Sequence, residues 1–456
     1  MLSPAMRQPV RRPSPIHIVS FGLVALAFAA VGVGCDSRSA EWDGNVILVV
    51  IDTLRADRLP FYGCEKDTAP FLNELATNAV LFESAWSTSS WTAPATASIF
   101  TGTYPNQHGV VTNLRIARLL EARGEPIEVN QIPESFETIP LFLRSQGYRT
   151  FGVSSNPNVD SRRGFDRGFD RFAMINYHDG GNASTLVAKL LEWKSEIAQA
   201  ERFFLYVHLM DPHGPYVRHE QWIPENERPT KPNRGDRGAY DSEIRYADEQ
   251  IRRLFSELPL DDALAIVTSD HGQEFKDHGS IGHHFQLYSE LTRALLMFRL
   301  PGTEPRRVAG HVSIVDILPT LRSLLGAPTS PRDAGRPLLG GDLPAEPRDA
   351  VYAMRTELLR DRLEKRAVIT GRFKLIRTDG AESEDAMEQT ELYDLVADPG
   401  ETHNLASERP AVRRELEELL VAQARSGDVA VWEKAESFVP SASEIEMLED
   451  LGYVGE

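Results

Sequence analysis

Three apolar segments of the chain end close to residues that carry charge or bind metals. Residues 45–51 form a nearly continuous β-branched run, and Asp52 follows it directly. Residues 203–207 and 264–268 are similar runs. Runs of this kind are typical of strands that are buried on both faces of a parallel sheet. Segments with helical spacing separate them, and this alternation predicts an α/β fold.

The chain changes character near residue 336. Pro- and Gly-rich breaks occur at residues 302–307 and 326–336. Beyond them, residues 368–376 have the pattern of a hairpin around Gly371. We therefore predict a main domain over residues 45–335 and a smaller C-terminal α+β subdomain over residues 336–456. The other predicted elements are helices over residues 69–78, 184–200, 244–258 and 312–325, a strand over residues 391–395, and an amphipathic segment over residues 411–425.

The N-terminus has the pattern of an export signal. Three arginines precede an uncharged apolar run from about residue 16 to residue 34. The run ends at Cys35, as in the lipobox of bacterial lipoproteins, although Gly32 stands where Leu is usual. We predict a signal peptide over residues 1–35 and a polar spacer over residues 36–44. An uncleaved transmembrane anchor or a plain signal peptide is the alternative. All three predict that the body faces the outside of the cytoplasmic membrane, and a lipoprotein would be anchored there, on the periplasmic or extracytoplasmic face.

Charge and cysteine content exclude some classes of partner and site. The formal net charge is −18, so a nucleic-acid partner is not expected. Cys35 and Cys64 are the two cysteines of the sequence. They predict neither a disulfide framework nor a cysteine metal site.

Two of the predicted strands end in residues that bind divalent cations. Asp52 follows the first strand, and Asp270-His271-Gly272 follows the segment at residues 264–268. Ligands of open parallel sheets bind beyond the carboxyl ends of the strands. A carboxylate beside an imidazole suits Zn²⁺ or Mn²⁺. Each motif taken singly is also compatible with an ordinary turn or helix cap.

A short predicted helix carries a candidate nucleophile. Thr92 has the pattern of an N-cap, Pro94 lies in the first turn, and Gly102 follows the last turn. A hydroxyl at a helix N-terminus lies where N–H groups favour an anion. A divalent metal bound beside it would lower the hydroxyl pKa and activate it towards a phosphate or sulfate ester.

Histidines cluster in the same strand-end segments. His208 and His213 follow the segment at residues 203–207, and His278, His283 and His284 follow the Asp-His pair. Such residues can bind ester oxygens or protonate a leaving group. They are also compatible with incidental positions in Pro/Gly loops.

Together these segments resemble the sulfatase family. The resemblance covers nearly the whole chain after residue 44. Its motifs are at residues 45–57, 90–94, 211–216 and 268–275, followed by weaker signatures at residues 312–320, 391–405 and 451–454.

The resemblance implies an alkaline-phosphatase-like fold, with a doubly wound mixed sheet flanked by helices. It implies that Asp52, Asp270 and His271 bind a divalent metal ion (Mn, Zn, Ca or Mg), with Thr53 in place of a second Asp. It also implies that His213 lies on the substrate side, together with either His283 or His284.

The sequence departs from typical sulfatases at the nucleophile. Those enzymes have Cys or Ser two residues before the conserved Pro, converted to formylglycine, and an Arg two residues after it. This chain has Thr92 and Thr96 there, so no formylglycine is expected. Residues 153–156 replace a sulfate-binding Lys-x-His pair, and Asn156 is the candidate substrate-binding residue of that stretch.

The sequence therefore predicts a metal-dependent hydrolase that cleaves sulfate esters, phosphate esters or diesters, or phosphonate esters. Thr92 would be the nucleophile and His213 the catalytic proton carrier, while His208, His283, His284 and Asn156 would bind substrate. The alternatives are a transferase of phosphoglycerol or phosphoethanolamine type at the membrane, and a noncatalytic lipoprotein that binds anionic glycans.

Overall fold

The computed structural model describes residues 41–112, 129–225, 235–283, 285–340, 348–357, 363–379, 389–429 and 437–441. The predicted signal peptide, most of the predicted spacer and His284 lie outside the described residues. None of the described helices is long and apolar enough to cross a membrane.

Strands and helices alternate along most of the described chain. The strands are β1 (Val46–Ile51), β2 (Val80–Trp86), β3 (Val129–Asn130), β4 (Arg149–Ser154), β5 (Arg171–Met174), β6 (Phe203–Leu209), β7 (Leu264–Ser269), β8 (Glu274–Phe275), β9 (Ile281–Gly282), β10 (Arg293–Ala294), β11 (Leu296–Arg299), β12 (Arg306–Ser313), β13 (Ala350–Glu357), β14 (Leu363–Thr370), β15 (Phe373–Asp379), β16 (Gln389–Asp394) and β17 (Ser437–Phe438). The α-helices are α1 (Pro70–Thr77), α2 (Thr92–Thr101), α3 (Pro105–His108), α4 (Ile139–Ser145), α5 (Ala183–Glu192), α6 (Lys194–Gln199), α7 (Arg237–Glu257), α8 (Ser289–Thr292), α9 (Ile317–Leu324) and α10 (Pro410–Val429).

A large mixed sheet organises the main part of the chain. Its strand order is β10-β2-β11-β7-β1-β6-β4-β5, and β12 pairs with β2. Strands β7, β1, β6, β4 and β5 are parallel, whereas β11 is antiparallel to both of its neighbours. The carboxyl ends of the parallel strands therefore meet at one edge of the sheet.

Strand β1 is buried on both faces, as its sequence predicts. Val46, Leu48 and Val50 pack into one core with residues of α2, α4 and α9. The alternate residues of β1 pack into a second core with residues of α1, α5 and α7. Helices thus cover both faces of the sheet, and the predicted α/β fold is confirmed.

A smaller antiparallel sheet forms the C-terminal part. Its strand order is β13-β14-β15-β16. One face packs on Trp86 and Leu287 of the main part, and the other face is covered by α10 through Leu416 and Leu420. The predicted hairpin around Gly371 and the predicted amphipathic segment are both present. The domain boundary at residue 335 stays a prediction.

Three predicted helices differ from those in the structure. The helix predicted over residues 244–258 is the later part of α7, which begins at Arg237. The segment 184–200 forms α5 and α6, because Trp193 interrupts the helix at the end of α5. The predicted helix 312–325 begins only at Ile317. Val312 and Ser313 belong instead to β12, where they pair with β2, and apolar periodicity does not distinguish a short strand from a helix there.

Candidate active site

Strand register brings the two predicted carboxylates together. In the parallel pair β1–β7, Ile51 lies opposite Ser269, so Asp52 and Asp270 leave the sheet side by side. The backbone N–H of Asp52 donates to the Leu209 carbonyl at 2.8 Å, and this bond adds the end of β6 to the same edge. The expected convergence of strand ends is present in the structure.

Asp52, Asp270 and His271 form a group suited to a divalent metal. One ligand atom from each lies within 4.8 Å of the others, and all three side chains are fully buried. Asp52 Oδ1 and Asp270 Oδ2 accept no hydrogen bond from any described residue. His271 Nε2 lies 3.8 Å from Asp52 Oδ1 and 3.6 Å from Asp270 Oδ2. Buried carboxylate oxygens without donors are what a bound cation would satisfy, so the residues fit a divalent ion.

The backbone orients His271 for this role. Its Nδ1–H donates to the Gly272 carbonyl at 2.9 Å, which leaves the Nε2 lone pair directed at the carboxylates. Gly272 is needed for close packing of this turn, because a Cβ there would lie 2.0 Å from the Glu290 carbonyl oxygen. The Asp-His-Gly motif thus combines two ligands with a close backbone approach.

The two carboxylates have opposite pKa shifts. Burial raises the pKa of Asp270, and the nearby charge of Asp52 raises it further. Burial also opposes ionisation of Asp52, but the His208 hydrogen bond and the charges of His271 and His213 hold its pKa below the usual range. Two buried carboxylates this close repel each other when both are ionised. A divalent cation would stabilise the doubly ionised form.

Thr92 lies against this metal-binding group. It is the first residue of the ten-residue helix α2, preceded by extended Trp91. Its hydroxyl has two acceptors within reach, Asp52 Oδ2 at 3.2 Å and His271 Nε2 at 3.3 Å. The prediction of Thr92 as N-cap was wrong by one position, because Trp91 is the N-cap residue and Thr92 is already the first residue of the helix, with its hydroxyl near Asp52.

Asn156 links the nucleophile candidate to the carboxylates. Its Nδ2 donates to Asp52 Oδ2 at 2.6 Å and to Thr92 Oγ1 at 3.3 Å. Its Oδ1 accepts the backbone N–H of Asn158 at 2.8 Å, which fixes the orientation of the amide. The two hydrogens of the amide are therefore directed at Asp52 and Thr92. The predicted contact of Asn156 with substrate stays a prediction.

Two of the predicted histidines lie beside the metal-binding group. The His283 ring centroid is 4.8 Å from that of His271 and 4.9 Å from that of His213. His213 Nδ1–H donates to the Gly214 carbonyl at 2.6 Å, and burial lowers the pKa of His213. His283 is partly exposed. The sequence left His283 and His284 as equal alternatives; His283 lies in this cluster, His284 lies outside the described residues, and the choice between them stays open.

His208 and Thr53 have other positions than their predicted roles suggest. His208 is fully buried, its Nε2–H donates to Asp52 Oδ2 at 3.3 Å, and its Nδ1 accepts from the Tyr206 hydroxyl at 2.8 Å. A substrate contact would require that one of these bonds break. The Thr53 hydroxyl donates to the Asp52 carbonyl at 2.7 Å, and its backbone N–H donates to Asp270 Oδ1 at 3.3 Å. In this structure Thr53 therefore supports the two carboxylates.

Arg355 is a site residue that sequence reasoning missed. It lies on β13, is 8% exposed, and places its guanidinium 5.2 Å from the Trp91 ring. Burial lowers the pKa of His271, and the charge of Arg355 lowers it further. Arg355 follows the other site residues by more than 70 positions, outside any motif. The position of Arg355 in the site is evident only from the tertiary packing of the chain.

Known proteins share this sequence pattern and this fold. The sequence model of the sulfatase family matches residues 44–327, more than half of the chain. An N-acetylgalactosamine-6-O-sulfatase from Bacteroides thetaiotaomicron is 25% identical, with 88% of this chain and 98% of that protein covered. The phosphonate monoester hydrolase of Agrobacterium radiobacter superposes with a TM-score of 0.69 at 19% identity, with 88% of this chain and 100% of that chain covered.

A second solved structure supports the same fold. A phosphonate monoester hydrolase from Silicibacter pomeroyi superposes with a TM-score of 0.65 at 19% identity, with 86% of this chain and 96% of that chain covered. The match to the family includes Asp52, Thr92 and Asp270. The chain therefore belongs to the sulfatase family of the alkaline phosphatase superfamily, and it is a hydrolase of that family.

Proposed function

We propose that this protein is a metal-dependent esterase of phosphate diesters, phosphonate monoesters or sulfate esters, with Thr92 as its nucleophile. One observation carries the proposal. The Thr92 hydroxyl lies at the N-terminus of α2 within 3.3 Å of Asp52, His271 and Asn156 at once. A hydroxyl placed between metal-binding groups and an amide donor, at the positive end of a helix, suits attack on an anionic ester.

The residues of this chain can carry both steps of a double displacement. In the first step the Thr92 hydroxyl passes its proton to Asp52 Oδ2, its acceptor at 3.2 Å, and its oxygen attacks phosphorus or sulfur. His213 Nε2, protonated in the presence of the anionic ester, donates its proton to the leaving alcohol. In the second step neutral His213 accepts a proton from water, whose oxygen attacks the same atom and displaces the Thr92 oxygen. The displaced oxygen takes back the proton held by Asp52. When the ester binds, Asn156 Nδ2 exchanges its bond to Thr92 Oγ1 for one to a nonbridging oxygen and keeps its bond to Asp52.

Asp52, Asp270 and His271 are the residues that would hold the divalent metal. Such an ion supplies positive charge that lowers the pKa of the Thr92 hydroxyl and offsets charge on the ester oxygens. Comparison of Mn²⁺, Zn²⁺, Ca²⁺ and Mg²⁺ in the aryl substrate assay identifies the ion that supports turnover.

The nucleophile favours phosphorus esters over sulfate esters. A formylglycine hydrate carries two hydroxyls on one carbon, so its sulfate ester can be released by breaking the bond to carbon. Threonine carries a single hydroxyl, so its ester is released only by attack at phosphorus or sulfur. We therefore place phosphate diesters and phosphonate monoesters first among the proposed substrates.

A panel of aryl substrates tests this ranking. Matched p-nitrophenyl esters of sulfate, phosphate, a phosphodiester and a phenylphosphonate would be assayed with purified protein and Mn²⁺, Zn²⁺, Ca²⁺ or Mg²⁺. We expect kcat/KM for the phosphodiester or phosphonate to exceed that for the sulfate ester by at least about tenfold, and blanks with metal alone set the background. Faster cleavage of the sulfate ester would overturn the ranking and make the protein a sulfatase without formylglycine.

We also propose that the protein is an exported lipoprotein anchored through Cys35. The charged start, the apolar run and the terminal Cys of residues 1–35 support this proposal. In a bacterial expression host, the wild type is expected in the membrane fraction with acyl chains attached at Cys35. A Cys35→Ala variant lacks the attachment site, so we expect it to carry no acyl chains and to be processed differently at its N-terminus. Intact mass spectrometry of the membrane-extracted protein checks this. A wild type with no added acyl mass, or an unchanged mass in the variant, would contradict it.

A further inference from the structure

The turn after β1 has an unusual backbone conformation. Thr53 has a φ of 53°, in the left-handed region that a β-branched residue rarely adopts, and it is fully buried. Such a conformation persists where the surrounding contacts determine it, and it clusters at functional sites. Thr53 directly follows Asp52, so this conformation bears on the metal-binding group.

The turn connects the two carboxylates. The Thr53 backbone N–H donates to Asp270 Oδ1 at 3.3 Å, and its hydroxyl donates to the Asp52 carbonyl at 2.7 Å. The other oxygen of Asp270 is the one that accepts no hydrogen bond from a described residue. The Thr53 N–H therefore holds one oxygen of Asp270 and leaves the other directed at the metal position.

A single tyrosine hydroxyl holds this turn from the outer side. Tyr240, on α7, donates to the Thr53 carbonyl at 2.7 Å and accepts the backbone N–H of Arg55 at 2.9 Å. Its side chain is fully buried, and its ring contacts Phe275 at a centroid distance of 4.9 Å. The hydroxyl thus satisfies the carbonyl and the amide on the two sides of Leu54, which disfavours relaxation of Thr53.

We propose that Tyr240 is a positioning residue of the metal centre. Its hydroxyl holds the Thr53 turn in the left-handed conformation, and through that turn it orients Asp270 towards the cation. The inference rests on the proposed metal site, but it needs neither a substrate nor turnover. Residues that orient metal ligands commonly contribute about 10-fold to 100-fold to metal affinity.

Metal affinity of the full chain tests the proposal. Mn²⁺ binding by isothermal titration calorimetry would be compared for the wild type, Tyr240→Phe and Tyr216→Phe. Tyr216 is the matched control, because its ring contacts Tyr240 at 5.6 Å while its hydroxyl accepts from Gln273 Nε2. We expect at least about tenfold weaker binding in Tyr240→Phe and a change below about threefold in Tyr216→Phe. Equal affinity of Tyr240→Phe and the wild type would overturn the proposal.

Repeating the Tyr240→Phe substitution in a Thr53→Gly variant separates positioning of the turn from a general loss of stability. Glycine adopts a φ near 53° without strain, so a Thr53→Gly turn depends less on the Tyr240 hydroxyl. The loss of Mn²⁺ affinity caused by Tyr240→Phe should therefore be smaller when Thr53→Gly is already present. An equal loss of affinity with and without Thr53→Gly would show that Tyr240 does not act through Thr53.

The same titrations distinguish failure of this proposal from failure of the proposed function. A wild type that binds no divalent ion would overturn this proposal and the proposed metal site together, whereas tight binding without turnover would overturn only the proposed function.

Discussion

Replacing Thr92 with alanine is expected to lower kcat of the metal-loaded protein by at least about 10³-fold, because the substitution removes the attacking oxygen. The helix should survive, because Trp91 is its N-cap residue and alanine has a high helix propensity. A Thr92→Ser variant keeps a hydroxyl at the same position and should retain turnover within about 100-fold of the wild type. Steady-state kinetics on the substrate preferred in the aryl panel provides the measurement.

A neighbouring threonine of the same helix provides the control. Thr96 lies one turn further along α2, is fully buried, and its hydroxyl has no hydrogen-bond partner among the described residues. Thr96→Ala therefore tests for general disturbance of α2, and we expect kcat within about fivefold of the wild type. Turnover in Thr92→Ala above about a tenth of the wild-type rate would exclude Thr92 as the nucleophile.

Removing the metal is expected to have an effect of similar size. Dialysis against a chelator, or the substitution Asp270→Asn, should lower kcat/KM by at least about 10³-fold. Asn keeps an oxygen that can accept from Thr53 and His271, so the turn should remain folded, but the site loses a charged ligand. Added Mn²⁺ should raise the melting temperature of the wild type, because binding to the native state stabilises it, and should have little effect on Asp270→Asn.

An acidic residue outside the metal-binding group provides the comparison. Asp277 is partly exposed and pairs with Arg55 at 2.8 Å. Asp277→Asn should therefore keep the metal-induced rise in melting temperature. Differential scanning calorimetry with and without Mn²⁺ measures all three proteins. An equal rise in Asp270→Asn and the wild type would place the bound metal elsewhere.

Sequence reasoning predicted the metal-binding group because its signal is local. Each of Asp52 and Asp270 directly ends a strand segment, and parallel strands bring their carboxyl ends to one edge of the sheet. The adjacency of β1 and β7, which places Asp52 beside Asp270, does not follow from this local signal, and the resemblance to the family supplied the grouping. The same reasoning placed Thr92 at a helix N-terminus, with an error of one position.

Local sequence patterns do not predict contacts between distant segments of the chain. Tyr240 reaches Thr53 across 187 positions, and Arg355 reaches Trp91 from the C-terminal sheet. Neither residue belongs to a local pattern that indicates its partner. His208 was assigned to substrate from its place after a strand run, but the strand continues through Leu209 and directs His208 into the interior behind Asp52.

Trapping the covalent intermediate tests the central claim most directly. Metal-loaded wild type would be mixed with excess p-nitrophenyl phenylphosphonate, quenched in acid within milliseconds, digested and analysed by tandem mass spectrometry. The account predicts a phenylphosphonyl adduct on the Thr92 hydroxyl, absent from Thr92→Ala and from protein stripped of metal. An adduct on another residue, or rapid turnover in Thr92→Ala, would contradict it.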